Sequence, residues 1–278
     1  MRTHFCLFLS CLFCFALLSG CGKAFEARFA HRIAGSVERT AAERAGKEGK
    51  AGGLTVLKIN GIEYFFRWCP PGTFKMGDED KAHQVTLTHG FWMLETQVTQ
   101  EMWEKVMGNN PSNFKGAKLP VEQVSWNDSQ EFITKLNALL AGTPGAPAGF
   151  KFSLPTEAQW EYACRAGTTT AYSFGDTLTQ QQANFGGYRT KEVGSYPANA
   201  WGLYDMHGNV YEWCQDLFCD YPSGAVTDPT GADRGSGRVI RGGSWYGNAQ
   251  YCRSAYRDYC DPSNRYYNVG IRLSLVSQ

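Results

Sequence analysis

Between Arg241 and Leu273 the chain passes through a stretch from which no ordinary core strand or helix can be built. Residues 246–268 hold six of the fourteen tyrosines and contain no Leu, Ile, Val, Phe, Met, Trp, Lys or Glu. Tyr246, Tyr251, Tyr256, Tyr259, Tyr266 and Tyr267 alternate with Asn248, Asp258, Asp261, Ser263, Asn264 and Asn268. Protein interiors mix aliphatic with aromatic side chains, so this composition argues against the filling of a core. It is instead the alphabet of antibody paratopes. There Tyr supplies amphipathic contact area at low entropic cost, and Asn, Ser and Gly supply adaptable hydrogen bonds. Catalysis needs convergent acids, bases or metal ligands, and the segment holds few. With RGGSW before it and NVGIRL after it, the segment reads as a binding surface carried on a frame. About a third of its tyrosines are expected to be structural.

The N-terminus sets the compartment. Met1-Arg2-Thr3-His4 is a short basic start, and the apolar run Phe5–Leu18 is too short to span a bilayer comfortably. The sequence Leu18-Ser19-Gly20-Cys21 resembles a bacterial lipobox, in which the cysteine becomes the lipidated first residue of the mature protein. An ordinary secretory signal with a coincidental cysteine is the alternative. Residues 22–53 are rich in Ala, Gly, Glu, Lys and Arg and bury too little apolar area to offset their ordering entropy. They read as a tether. The expected organisation is a signal peptide over residues 1–20, a lipidated tether over 21–53, and one domain over 54–278 carrying the segment 245–268. The expected location is the bacterial outer membrane, at the cell surface.

A formal net charge of +1 gives no electrostatic case for nucleic acid. The expected partners are the membrane, through the lipid, and an unidentified protein or glycan; a monomer is expected. Six cysteines lie beyond the signal and lipidation region: Cys69, Cys164, Cys214, Cys219, Cys252 and Cys260. An even number in an exported chain invites disulfides, and Cys214 and Cys219 are close enough in sequence to pair, although spacing does not prove it. No Cys/His cluster has zinc spacing.

The secondary-structure signals form an α+β pattern, with helices early and a loop-dominated second half. Asn127-Asp128-Ser129-Gln130 reads as a helix start, followed by Phe132, Ile133, Leu136 and Leu140 on one face. Thr156-Glu157-Ala158-Gln159 opens another helix, ending at Gly167. Thr99 opens a third, with Met102, Trp103 and Val106 facing inward. Ile62–Trp68, Gln84–Thr88 and Val239–Arg241 read as strands.

Seven motifs in order resemble the formylglycine-generating-enzyme, or sulfatase-modifying-factor, family. They are GTFKMG at Gly72, ETQVT at Glu95, PVEQVSW at Pro120, LPTEAQWEYA at Leu154, GLYDMHGNVYEW at Gly202, RGGSW at Arg241 and GIR at Gly270. The resemblance implies a C-type-lectin-like fold, with a twisted, mainly antiparallel core, two to three helices and much irregular structure. Trp126, Trp160, Trp201, Trp213 and Trp245 lie on or beside these motifs and are expected in the core.

Enzymes of that family oxidise a substrate cysteine with copper(I) held by two thiolates, which suit that soft ion. Here Cys252 falls at the second thiolate position, but Gly247 stands at the first and offers no sulfur. Cys260, eight residues from Cys252, would serve only if the loop rearranged. The family also implies a disulfide from the Cys164 position, whose partner position here is Arg257. A copper-dependent oxidase is therefore the secondary reading. The family further implies calcium, held by side chains at Asp205 and Glu212 and by carbonyls at Gly208 and Val210, a donor set suited to a hard cation. The alternative is that both carboxylates only hydrogen-bond their loop, and no cofactor is required. His83, His89 and His207 belong to no metal motif.

A second resemblance covers the departures. Diversity-generating retroelements rewrite the C-terminal stretch of C-type-lectin-like target proteins by adenine-directed mutagenesis, turning Asn codons into Tyr, Asp, Ser, Gly, Cys, His or Asn. Tyr246, Gly247, Asn248, Tyr251, Cys252, Tyr256, Asp258, Tyr259, Cys260, Asp261, Tyr266, Tyr267 and Asn268 all belong to that set. Ala249, Gln250, Arg253, Ser254, Ala255, Arg257, Pro262, Ser263 and Arg265 are expected to be mostly fixed by the template. An exported lipoprotein with this ending resembles the treponemal variable proteins. The expectation is thus a non-catalytic display protein that binds ligand through Trp245 and the thirteen residues of that set. A third reading is an envelope lipoprotein that binds nothing through its tyrosines.

Overall fold

The computed structural model describes residues 49–140, 142–235 and 237–278. The signal segment, Cys21 and the tether up to residue 48 lie outside the described residues. Gly52 and Gly53 already pair with the backbone of Trp68.

The first sheet begins with a hairpin. β1 (Leu54–Ile59) turns at Asn60-Gly61 into β2 (Ile62–Cys69), and both turn residues have positive φ (49° and 82°). Two-residue hairpin turns of this hand match the twist of the strands and favour Asn-Gly. Thr55, Leu57 and Ile59 alternate inward along β1. β3 (Gly72–Met76) and β4 (His83–Leu87) form a separate antiparallel pair, extended by the short parallel strand β8 (Val226–Thr227). β5 (Phe91–Leu94) is buried at every residue, as its central position requires. With β6 (Phe150–Ser153) and β12 (Ser274–Ser277) it completes the five-stranded sheet β1-β2-β5-β12-β6.

Three α-helices pack against these sheets. α1 (Gln100–Met107) is capped by the Thr99 hydroxyl, which accepts from the Met102 N–H at 3.2 Å. α2 (Trp126–Leu140) is capped two residues earlier than its sequence suggests. The Ser125 hydroxyl accepts from the Asp128 N–H at 3.1 Å, and the Asp128 carboxylate accepts from the Ser125 N–H at 2.9 Å. This reciprocal cap supersedes a start at Asn127 because a carboxylate three residues on satisfies two free donors at once. Phe132, Ile133, Leu136 and Leu140 face the core, and Trp103 stacks on Phe132 at 4.9 Å. α3 (Glu157–Arg165) has a full capping box between Thr156 and Gln159. Its left-handed cap residue is Ala166 (φ 47°), one before the expected Gly167. Every residue of α3 except Gln159 is buried.

The last sheet positions the tyrosine-rich segment. Its strands are β7 (Tyr211–Leu217), β9 (Arg238–Arg241), β10 (Arg257–Cys260) and β11 (Val269–Gly270), in the order β10-β9-β7-β11. β10 and a 3-10 turn at Ala249–Cys252 lie inside the segment, so it is not wholly loop. Gly270 allows β11 to pass close beneath the α2 entry: a Cβ there would lie 2.2 Å from the Val121 carbonyl oxygen. All six cysteines among the described residues are free, Cys214 and Cys219 included.

Candidate ligand-binding surface

The segment leaves β9 through Gly242 and Gly243, both at positive φ (96° and 72°). This left-handed pair turns the chain outward at Ser244-Trp245, and the loop before the 205–212 turn clasps it. Gly187 N–H donates to the Trp245 carbonyl at 2.7 Å, Gly186 N–H to that of Gly247 at 2.6 Å, and Trp245 N–H to that of Asn209 at 2.9 Å.

From there inward- and outward-facing residues separate. Arg241 is fully buried; its guanidinium pairs with Glu161 and donates to the carbonyls of Tyr256 and, at 3.0 Å, Ser254. The Ser254 N–H donates to the Ala171 carbonyl at 2.8 Å. Arg257 grips Glu157 with two bonds of 2.8 and 2.6 Å, and its guanidinium lies 4.0 Å from the Tyr221 ring centre. Arg253 pairs with Asp78 at 3.1 Å, and Arg265 with Asp128 through two bonds of 2.7 Å. Backbone carbonyls of Pro262 and Tyr266 accept from Asn127 and Gln123 at 3.2 and 3.0 Å. These contacts tie the segment to the N-terminal ends of α2 and α3.

The large exposed hydrophobic side chains among the described residues are Tyr188, Tyr246, Tyr259, Tyr266 and Tyr267, and four of the five belong to the segment. Tyr246 and Tyr267 stand over the buried Trp245, each with its ring centre 5.6 Å away, and Phe114 meets Trp245 edge-on at 5.5 Å. Arg189 lies 5.5 Å above Phe114. Tyr259 stacks on Phe218 at 4.5 Å, and Tyr251 meets Tyr256 at 5.1 Å. Asn248 and Asp261 are exposed, while Gly247, Tyr251, Tyr256, Asp258, Cys260 and Asn268 are half-buried.

Two of the expected contact residues lie beneath the surface. Trp245 is 6% exposed and acts as a platform for its neighbours. Cys252 is fully buried, and burial pushes its thiol up to about 12. Burial also pushes the Cys260 thiol up to about 11. Gly247 contributes no donor at the first thiolate position, so these residues do not supply the thiolate pair of a two-thiolate copper(I) site. Cys164 lies 3.6 Å from the Ser254 hydroxyl, and Arg257 is engaged with Glu157 rather than standing in for a disulfide partner.

His207 lies under the same turn. One ring nitrogen donates to the Cys252 carbonyl at 2.7 Å and the other accepts from the Ser173 N–H at 3.1 Å. A carbonyl needs a donor and an N–H needs an acceptor, so the ring is held neutral. Burial depresses its pKa to about 4.

The expected calcium donors also have other partners. Gln97 Nε2 lies 3.4, 3.3 and 2.9 Å from the carbonyls of Asp205, Gly208 and Val210, and 3.0 Å from Glu212 Oε1. Glu212 is paired with Arg272 at 2.8 Å, and its other oxygen accepts from Trp160 Nε1 at 2.7 Å. The Asp205 carboxylate is turned to the Gly194 N–H at 2.7 Å. Calcium takes six to eight oxygens at about 2.3–2.6 Å, and an amide nitrogen fills the centre of this set. The residues as arranged do not fit that ion. Sequence reasoning missed Gln97 because it contacts Glu212 across 115 residues.

Comparison with known proteins places this arrangement. Residues 66–275 match the Sulfatase-modifying factor enzyme 1-like domain. The formylglycine-generating enzyme of Streptomyces coelicolor is 36% identical over 230 residues, covering 72% of this chain and 69% of the enzyme. A serine/threonine-protein kinase pkn1 of Chlamydia caviae is 37% identical over 218 residues, 71% of this chain but only 34% of the kinase. The chain thus spans about a third of that relative's length. Among solved structures, Treponema denticola variable protein 1 has a TM-score of 0.72 at 32% identity, covering 80% of this chain and 98% of that one. PvdO from Pseudomonas aeruginosa has a TM-score of 0.67 at 27% identity, covering 81% and 98%. The fold is α+β and C-type-lectin-like, as in these structures. Its motifs, its sheets and these matches together make the chain a member of the sulfatase-modifying-factor, or formylglycine-generating-enzyme, family.

Proposed function

We propose that this chain is an exported, lipid-anchored display protein of the variable-protein type, and that residues 245–268 form a ligand-binding surface diversified by a retroelement. One observation carries the reading. Of the nine residues expected to be fixed by the template, Arg253, Ser254, Ala255, Arg257 and Arg265 are buried or paired to the scaffold, while Gln250 and Ser263 are exposed. The set itself supplies the exposed Tyr246, Asn248, Tyr259, Asp261, Tyr266 and Tyr267. Such a division lets contact residues change while the frame persists. The likeness to a treponemal variable protein supports the same reading.

The mechanism is equilibrium binding. Exposed tyrosines supply apolar contact and hydroxyls, Asn and Asp set specificity, and many anchored copies add avidity to modest individual contacts. The ligand is a protein or glycan on another cell. We read the surface as non-catalytic because Gly247 removes one thiolate of the family's copper pair.

The deciding experiment is genomic. A near-copy of the 3′ coding segment, rich in AAC codons, should lie beside a reverse-transcriptase gene, and isolates should differ at the thirteen codons of the set. Absence of both would remove the diversification. The family's enzymes favour the competing oxidase reading. It predicts tight copper(I) binding and oxygen uptake with cysteine peptides, and a Cys252→Ser variant that loses both.

A further inference from the structure

Gln97 lies outside the proposed binding surface, yet its side chain is fully buried and committed to a single turn. The turn from Asp205 to Glu212 directs three backbone carbonyls and one carboxylate oxygen at one point, and the Gln97 nitrogen sits there, 2.9–3.4 Å from all four. Four acceptors facing one another repel unless something positive lies between them. A metal ion is one solution, and an amide N–H₂ is another.

The orientation of that amide is fixed by its neighbours. Asn209 Oδ1 accepts from the Lys191 backbone N–H at 2.9 Å, which makes Asn209 Nδ2 the donor side. That Nδ2 lies 3.0 Å from the other end of the Gln97 amide, which must therefore be its oxygen. The Gln97 nitrogen is left facing the turn. A chain of contacts from a backbone N–H, whose donor role is not in doubt, thus determines which atom fills the cage.

Charge balance agrees with this assignment. Glu212 is 1% exposed and Arg272 fully buried, and they bond through two contacts of 2.9 and 2.8 Å. The two Glu212 oxygens also take hydrogen bonds from Gln97 and Trp160. Its one negative charge is already neutralised and its lone pairs are engaged. A divalent cation added at the Gln97 position would face a buried guanidinium, while the Asp205 carboxylate is turned to the Gly194 N–H.

We infer that the Gln97 side-chain amide stands in for a divalent cation and closes the 205–212 turn without metal. This turn holds the clasp to Trp245, so the device fixes the base of the display surface whatever residues occupy that surface. The inference is independent of the ligand and of diversification.

The test uses the full chain in detergent, with calcium chloride and EDTA as the probes. Wild-type protein should unfold at the same temperature in either, and calcium titration should release no heat of binding. A Gln97→Glu variant replaces the N–H₂ with an acceptor, so five oxygens then face one another. In EDTA its midpoint should fall by about 5 °C or more, and calcium should restore it by filling the centre. Calcium binding to wild type, or a fall in its midpoint with EDTA, would overturn the inference. So would a Gln97→Glu variant as stable as wild type in EDTA. If that variant does not fold in either condition, the wild-type measurements decide alone.

Discussion

Arg265 meets Asp128 through two hydrogen bonds of 2.7 Å, and the same carboxylate accepts from the backbone and hydroxyl of Ser125 at 2.9 and 2.7 Å. One side chain therefore caps α2 and moors the far end of the tyrosine-rich segment. The two roles differ in weight. Arg265 is about half-exposed, so its ion pair is worth no more than about 1 kcal/mol. Loss of the cap costs about 0.5–2 kcal/mol. Asp128→Ala should thus destabilise more than Arg265→Ala in urea unfolding, and a double-mutant cycle should give a coupling below about 1 kcal/mol. Burial alone would raise the Asp128 carboxyl, but hydrogen bonds from Arg265 and Ser125 hold it below its ordinary value. Its contribution should persist above that ordinary value and disappear as pH falls through the depressed one. Equal effects of the two substitutions would show that mooring, not capping, dominates.

Gly243→Ala should be among the most damaging single changes in the frame. The residue has φ 72°, and an added Cβ would lie 2.5 Å from Cys252 Sγ and 2.8 Å from the Tyr251 carbonyl oxygen. Both the backbone conformation and the space oppose a side chain, and the carbonyl cannot move without shifting the segment. A loss of about 2 kcal/mol or more is expected in denaturant unfolding. Gly61→Ala is a control with positive φ but open space around it, and it should cost about 1 kcal/mol. If the two glycines prove equal, the close approach to Cys252 carries no weight.

How far the sequence predicts this molecule depends on the range of the interaction concerned. Capping pairs such as Thr156 with Gln159 lie three residues apart, so the helices were visible; the α2 cap was displaced by two residues because Ser125 and Asn127 both suit a cap. The alternation of tyrosines with Arg253, Ser254 and Arg257 could be read as a composition. Which of them pointed outward could not, because that depends on Glu157, Asp78 and Asp128, each a hundred residues or more away. The Gln97 cage was invisible for the same reason. Cys252 showed its residue type in the sequence, but its burial came only from the fold of Gly242-Gly243 above it.

The pH response should separate two buried groups of opposite sign. Burial raises the Asp216 carboxyl to about 7, and the neighbouring charge of Glu157 adds to the effect. Its folded pKa lies above the unfolded one, so the folded state holds the extra proton. The associated stability is complete below about 4 and lost as pH rises through about 7. His207 is depressed to about 4, so its stability is present above about 6.5 and lost as pH falls. Over their shared range the two oppose each other, and burial of Glu122 (raised to about 7) and Asp205 (raised to about 6) adds to the Asp216 side. Asp216→Asn removes its own share of this balance. The stability difference between wild type and variant should widen on acidification from about 7 to about 4, by up to about 1.4 kcal/mol per pH unit. A difference that narrows on acidification would show that Asp216 is ionised in the folded protein.

Trp245 and Tyr246 are adjacent in sequence and opposite in role, which gives the sharpest test of the display reading. Trp245 is 6% exposed and packs against Phe114, while Tyr246 is 66% exposed. Trp245→Ala removes a buried aromatic side chain and should cost about 3–5 kcal/mol. Tyr246→Ala should lie within about 0.5 kcal/mol of wild type, as for surface substitutions generally. The same contrast should hold in libraries scored by protease resistance. Randomising Tyr246, Asn248, Tyr259, Asp261, Tyr266 and Tyr267 should leave most members folded. Randomising Arg253, Ser254, Ala255, Arg257 and Arg265 should leave few, because it removes the buried Ser254 and the pairs to Asp78, Glu157 and Asp128. If both libraries lose folding to the same degree, the tyrosines belong to the frame, and the segment is structural rather than a surface free to vary.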